Sequence, residues 1–324
     1  MKKTKITLST LLMLGQLFAM PQAHGATDIG NKIIYGEDNR YDTEQYPDRE
    51  VREYAKSVAG MVSNHKLQPN FDNPDTYNFF LRTAEQSQDL CIGERFSEQY
   101  VLPGCTGFLV SPDTLVTAGH CVTSEFECKT NSWVFDYTDG TTDIPKDNVY
   151  KCEKIVKQEL AEKYASIKDY AVIKLDRPVT GRAPLKFRKK GKVRTGAKLF
   201  VIGHPLGLPQ KIADGAKVKF ANIIEIIRPI RTLLRKRYYF IANLDTYAGN
   251  SGSPVFNKKT GEVEGILVQG AEDFDRNVDN FCNESRRVSN SGLTTQEKVF
   301  RITKIPGLKE LSKKVDKKKI PDDE

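Results

Sequence analysis

Residues 105–121 read CTGFLVSPDTLVTAGHC, two short apolar runs set between cysteines and closed by a histidine. Runs such as GFLV (107–110) and TLVTA (114–118), separated by Ser-Pro-Asp, predict two short strands. The chain holds four histidines and six cysteines, and here one of each stands side by side. Taken alone, these residues fit a buried histidine beside an ordinary disulfide as well as a catalytic base held by one.

The same grammar continues outward from this stretch. WVFDY (133–137), YAVIKL (170–175), KLFVIG (198–203), YYFIANL (238–244) and VEGILVQG (263–270) are short runs rich in Val, Ile, Phe and Tyr, separated by Gly, Pro, Asn and Asp clusters. Strands do not alternate with long helices, which argues against a parallel sheet and for an all-β domain of barrels or sandwiches. EKVFRITKI (297–305) reads as a last strand or short helix, and no internal repeat is visible. Residues 26–90 are more polar, and Val51, Tyr54, Ala55, Val58, Met61 and Val62 follow a helical spacing. This stretch reads as an N-terminal extension or pro-segment preceding a domain over 91–304, with a charged tail over 305–324.

Lys2, Lys3 and Lys5 precede an apolar run over 6–20, then Pro21 and the small-residue pattern Ala23-His24-Gly25, the layout of a secretory signal peptide ending near residue 25. The run is shorter than the ~20 apolar residues a spanning helix needs. Removing residues 1–25 lowers the formal charge from +8 to +5, and no comparable run follows. The expectation is an exported, soluble, monomeric protein, secreted or periplasmic, with no membrane span. Basic residues gather in 228–239 and 309–324, but such clusters are more often solvated faces, and no nucleic-acid partner is assigned. Cys91, Cys105, Cys121, Cys128, Cys152 and Cys282 all follow the signal, an even count that suggests three disulfides. No CxxC pair occurs, so a zinc site is poorly supported.

A hydroxyl nucleophile needs a base, a group to orient the base, and donors for the developing oxyanion. His120, closing the apolar run, is the base candidate. Asp169, at the head of a buried-looking strand, can fix the tautomer of that base. Ser251 lies in GNSGSP (249–254), where Gly249 and Gly252 permit a tight turn, and the amides of Gly249 and Ser251 are the oxyanion candidates. Each signal is modest by itself; their order on an exported all-β chain carries the reading.

The segments CTGFLVSPDTLVTAGHC (105–121), DYAVIKLDRP (169–178) and GNSGSPV (249–255) resemble those of the trypsin/chymotrypsin-like serine proteases. The resemblance implies two six-stranded antiparallel barrels with the catalytic cleft between them, a His120–Asp169–Ser251 triad, no cofactor, and a disulfide between Cys105 and Cys121. For the other four cysteines three connectivities remain open, of which Cys128–Cys152 with Cys91–Cys282 is preferred. GNSGSP resembles the glutamyl-endopeptidase branch of the family, whose pocket strand often carries a histidine; GILVQG (265–270) has none. Asn250 replaces the aspartate that pairs with a newly cut N-terminus in the digestive enzymes. Asp245, six residues before Ser251, stands where trypsin-like members place the aspartate of a basic-residue pocket, with Thr246 and Gly270 as further pocket candidates. A loop-bonded Asp245 is an equally good reading, and His204 between Gly and Pro reads as structural.

The activity this implies is peptide-bond hydrolysis through an acyl-enzyme, with proteins or peptides as substrates and the extension as a zymogen segment. The alternative is a protease-fold binding or regulatory protein without activity, against which the complete triad argues. A PDZ-bearing quality-control protease is not expected, because about 20 residues after the last expected strand are too few for that module.

Overall fold

The computed structural model describes residues 34–163, 166–221, 238–270, 272–289 and 297–310. The expected signal over 1–25, the basic stretch over 228–237 and the tail from 311 lie outside the described residues.

Thirteen strands carry the architecture: β1 (Arg40–Asp42), β2 (Val58–Ser63), β3 (Cys105–Ser111), β4 (Thr114–Thr117), β5 (Asn131–Phe135), β6 (Val149–Lys163), β7 (Ser166–Leu175), β8 (Lys198–Gly203), β9 (Lys211–Phe220), β10 (Tyr239–Ala242), β11 (Pro254–Asn257), β12 (Val263–Gln269) and β13 (Glu297–Arg301). Six of them close an antiparallel barrel in the order β6-β7-β4-β3-β2-β5. Six more, β8-β11-β12-β13-β10-β9, close a second through the β8–β9 pairing, and β1 adds to the edge of β9. The protein is therefore all-β, with two six-stranded antiparallel barrels.

The apolar runs are continuous because successive side chains of a strand face opposite sides, and here both sides are buried. In the second barrel Leu199, Val201, Val255, Leu267 and Val299 form its own interior. Their neighbours Phe200, Ile202, Phe256, Ile266 and Phe300 join a larger cluster with the first barrel's Phe108, Val116, Trp133 and Ile173. Phe200 and Phe256 stack with centroids 4.6 Å apart, and Tyr170 meets Phe300 across the barrels at 5.2 Å. Such pairs contribute about 1 kcal/mol each beyond simple burial.

Two expected boundaries move. The chain over 46–62 is not one helix: a helix over Arg49–Ala55, capped by Asp48, gives way to β2. β2 lies between β3 and β5, with Val58 opposite Phe108 and Gly60 opposite Val134. Partners distant in sequence override the local helical period, and both faces of β2 bury apolar side chains. The first barrel thus takes a strand from before residue 91, and the expected extension over 26–90 is not separate from the fold at residues 58–63. At the other end, Ile305 and Leu308 are buried in the main core, so the tail does not begin at 305. Of EKVFRITKI, the first five residues form β13 and Ile302–Lys304 a single 3-10 turn.

The cysteines are joined as Cys105–Cys121, Cys128–Cys152 and Cys91–Cys282. No helix among the described residues is long and apolar enough to cross a membrane.

Candidate active site

β4 ends at Thr117, and a single 3-10 turn over Gly119–Cys121 carries His120 off the barrel wall. The turn packs against the β6–β7 hairpin so closely that a Cβ on Gly119 would collide with Glu159 O and lie 2.8 Å from Tyr170 N. That contact brings His120 onto Asp169 of β7. One Asp169 oxygen accepts from the His120 amide at 3.0 Å, and the other pairs with ring Nδ1 at 2.7 Å. A carboxylate that grips both backbone and ring fixes the ring's direction and places the proton on Nδ1, leaving Nε2 as the basic nitrogen. The Asp169 side chain is 7% exposed and that of His120 14%, so water competes little for the pair.

Ser251 is held by a turn from the second barrel that docks on the first. Gly249 (φ +87) and Gly252 (φ +89) adopt left-handed conformations, and a Cβ on Gly252 would collide with Thr106 O. The docking group is Thr106, a residue the sequence reading passed over. Its amide donates to Ser251 O at 2.8 Å and its hydroxyl to Gly249 O at 2.9 Å, while that hydroxyl accepts from the His204 amide at 3.1 Å. Cys121 Sγ lies 3.7 Å from the same Ser251 carbonyl. The disulfide beside His120 therefore also bears on the serine turn. A polar residue between Cys105 and Gly107, ahead of the apolar run GFLV, was the available signal, since a fully buried threonine must find partners.

The amides of this turn fall into two sets. Those of Ala248, Asn250, Gly252 and Ser253 donate to Asp273 Oδ2, Tyr247 O, Leu267 O and Asn250 O. The amides of Gly249 and Ser251 donate to no group among the described residues. The Asn250 side chain folds inward and accepts from Ser253 Oγ at 3.3 Å. Among the described residues, the side-chain and amide hydrogen bonds of His120 run to Asp169 alone, and the Ser251 hydroxyl has none.

Asp245 is not at the floor of an open pocket. Its carboxylate, 4% exposed as a residue, accepts from the amides of Tyr35 at 2.7 Å and Asn39 at 3.1 Å. Two residues on, Tyr247 lies under the buried Arg40 guanidinium at 4.3 Å, and Asp38 grips Arg40 through two hydrogen bonds of 2.8 and 2.6 Å. The chain's own N-terminal segment thus supplies the partners of this carboxylate, the arrangement the loop-bonded reading describes. A buried carboxylate is satisfied as well by backbone amides as by a ligand, and only the fold decides which arrives. Thr246 is fully buried with an unpaired hydroxyl, and Gly270 is half-buried just past β12. The grouping of Cys105, His120 and Cys121 offers no thiolate to a metal, because both sulfurs are in one disulfide.

His204 is structural. It is fully buried and its Nδ1 donates to Leu208 O at 3.0 Å. Burial lowers its pKa to about 4, whereas burial raises that of Asp245 to about 6. The two shifts act oppositely on stability. The native state holds the Asp245 proton more tightly than the unfolded chain, so that contribution is full below the carboxylate's ordinary value near 3.8 and is lost as pH rises through about 6. His204 contributes above its ordinary value near 6.5, and this is lost as pH falls through about 4. Each is worth roughly 3 kcal/mol over that window. Asp245→Asn should therefore gain stability relative to wild type as pH rises from 4 to 6.5, and His204→Gln should lose it. Urea unfolding at both pH values checks this, and parallel curves for the three proteins would refute it.

Thr106→Val keeps shape but removes the hydroxyl that bridges Gly249 O and His204 N. A loss of about 1–3 kcal/mol is expected, together with lower activity as the serine turn loosens. Urea unfolding and peptide hydrolysis measure the two effects separately, and an unchanged midpoint would show the bridge to be idle.

Residues 105–266 match the family model described as a trypsin-like peptidase domain. No curated protein matches the chain significantly. Among solved structures, the active form of the Rv3671c protease from M. tuberculosis aligns with a TM-score of 0.44 and 15% identity over 93% of this chain and 92% of that one. An inactive serine-to-alanine mutant of that protein aligns with a TM-score of 0.44 and 15% identity, over 87% of this chain and 98% of the other. The family match spans half of the chain and takes in β3, the His120 turn, Asp169 and the Ser251 turn: the chain belongs to the trypsin-like peptidase domain family.

Proposed function

We propose that the protein is an exported serine endopeptidase acting through an acyl-enzyme. Ser251 Oγ attacks the scissile carbonyl carbon while His120 Nε2 takes its proton. The carbonyl oxygen, now an oxyanion, is received by the amides of Gly249 and Ser251. Collapse breaks the C–N bond as His120 returns the proton to the leaving amine. Water, activated by the same nitrogen, then cleaves the ester and restores Ser251. Asp169 holds the ring through Nδ1 and stabilises the imidazolium.

The observation that carries this reading is the pairing of a doubly gripped histidine with a serine turn whose two unengaged amides alternate with four engaged ones. The Ser251 hydroxyl is unbonded to His120, a looseness common before substrate binds. Substrate reading is assigned to the neighbourhood of Thr246 and Gly270, and the case for Arg or Lys before the cut goes with Asp245. Export rests on the leader over 1–25 and agrees with three disulfides. Any activating cut compatible with this fold lies before Ile34, since Ile34 and Tyr35 are buried.

The test is an organophosphonate probe on the processed, disulfide-intact protein, followed by peptide mapping and a mixed-peptide library. Label on Ser251 together with peptide cleavage supports the reading, and the residue before each cut defines the pocket. A folded protein that neither takes label nor cuts would move the fold to a binding role.

A further inference from the structure

From Lys186 to Lys198 the chain places seven lysines and arginines in thirteen residues with no Asp or Glu among them. The fold does not disperse them. Arg188, Lys192, Arg194 and Lys198 line a cleft of about 840 Å³ with Lys258 and Lys259 of the β11–β12 turn. Glu264 binds Arg188, with Nη2 at 2.7 Å from one carboxylate oxygen, and Asp214 binds Lys258. Arg194, Lys198 and Lys259 have no ion-pair partner among the described residues. Burial, and then the nearby cations Arg301 and Lys304, hold Lys192 below its ordinary pKa.

The frame is built before any ligand arrives. β8 pairs with β11 with Leu199 opposite Asn257, and Lys258 N donates to Lys198 O at 2.9 Å. The turn leading into β8 is closed by Ala197 N to Arg194 O and fastened to β9 by Gly196 N to Val218 O. Cations projecting from fixed backbone suit a ligand with repeated negative charges. The lining contains no carboxylate to take a metal cation and no aromatic ring on which bases could stack. Its only apolar lining residues are Gly191, Gly196 and Ala197, which form no side-chain pocket of the kind a peptide would need.

We propose that this cleft is an exosite for a polysaccharide bearing sulfate or phosphate esters. It lies at the far end of β11 from the serine turn. From Pro254 to Asn257 the strand alone runs roughly 10 Å at strand rise. A bound glycan would therefore tether the enzyme without entering the peptide cleft. The site stands on the fold and charges alone, and only the word exosite rests on the proposed peptidase activity.

The experiment titrates the full chain into fluorescent heparin, followed by anisotropy at several salt concentrations. A phosphorylated mannan serves as the second glycan, with a single-stranded oligonucleotide and poly-glutamate as rivals. The Arg194→Ala/Lys198→Ala/Lys259→Ala variant should bind heparin or the mannan at least tenfold more weakly. Its salt slope should fall by about three, one for each lost contact. The matched variant Lys146→Ala/Lys151→Ala/Lys154→Ala, on the first barrel, should bind as wild type. Both should hydrolyse a short uncharged peptide at the wild-type rate, so a failure of the peptidase reading shows separately. Equal loss in both variants, or oligonucleotide or poly-glutamate binding as tightly as the glycans, would overturn the proposal. Whichever glycan is held more tightly identifies the ester.

Discussion

Ser251→Ala is expected to lower kcat by about six orders of magnitude while leaving the fold intact. The hydroxyl makes no hydrogen bond among the described residues, so its removal strands no partner there and stability should change by less than about 0.5 kcal/mol. What should survive is a rate some 10³–10⁴ above water, because the Gly249 and Ser251 amides remain in place for an oxyanion. Active-site titration with a chromogenic ester separates the two contributions: the burst disappears and a slow steady rate remains. A variant that kept the wild-type burst would place the nucleophile elsewhere.

Asp169→Asn is expected to cost about four orders of magnitude in kcat with little change in KM. Asparagine fits the same space, but it turns an NH₂ toward Nδ1 or withdraws the acceptor from the His120 amide. With an amide donor facing Nδ1, the ring carries its proton on Nε2 and cannot take one from serine. The carboxylate grips through both oxygens, at 3.0 and 2.7 Å, so neither amide orientation replaces it. Single-turnover rates against pH measure the loss, and a fall below tenfold would show that Asp169 only positions the turn.

The parts of the molecule legible in the sequence are those whose cause is local. LVTAGHC, DYAVIKL and GNSGSP each carry a turn, a strand end or a left-handed glycine that the residues themselves demand. KLFVIG reads as a strand because both of its faces are buried, one in each core. What was not legible depends on partners far along the chain. β2 carries a helical period and becomes a strand because β3 and β5 lie on either side of it. β6 is fifteen residues rich in Lys and Glu, and pairing with β7 along its length makes it a strand where its apolar content does not. Asp245 shows the same limit at the site. The spacing from Ser251 placed it in the right neighbourhood, but not the Tyr35 and Asn39 amides that occupy it. Thr106 escaped notice because its role exists only once two barrels meet.

The clasp between the chain's beginning and the serine turn also sets a timetable. Tyr35 leaves the ribosome 210 residues before the carboxylate that will hold it, and Arg40 waits as long for Tyr247. A chain made from its N-terminus cannot assemble this corner until Asp245 and Tyr247, about three quarters of the way along its 324 residues, have emerged. Contacts of such separation form late in folding. The His120–Asp169 pair can assemble from the first half alone, but the turn that would make it dangerous cannot. The maker of this protein is thereby shielded from its activity for as long as the chain is incomplete.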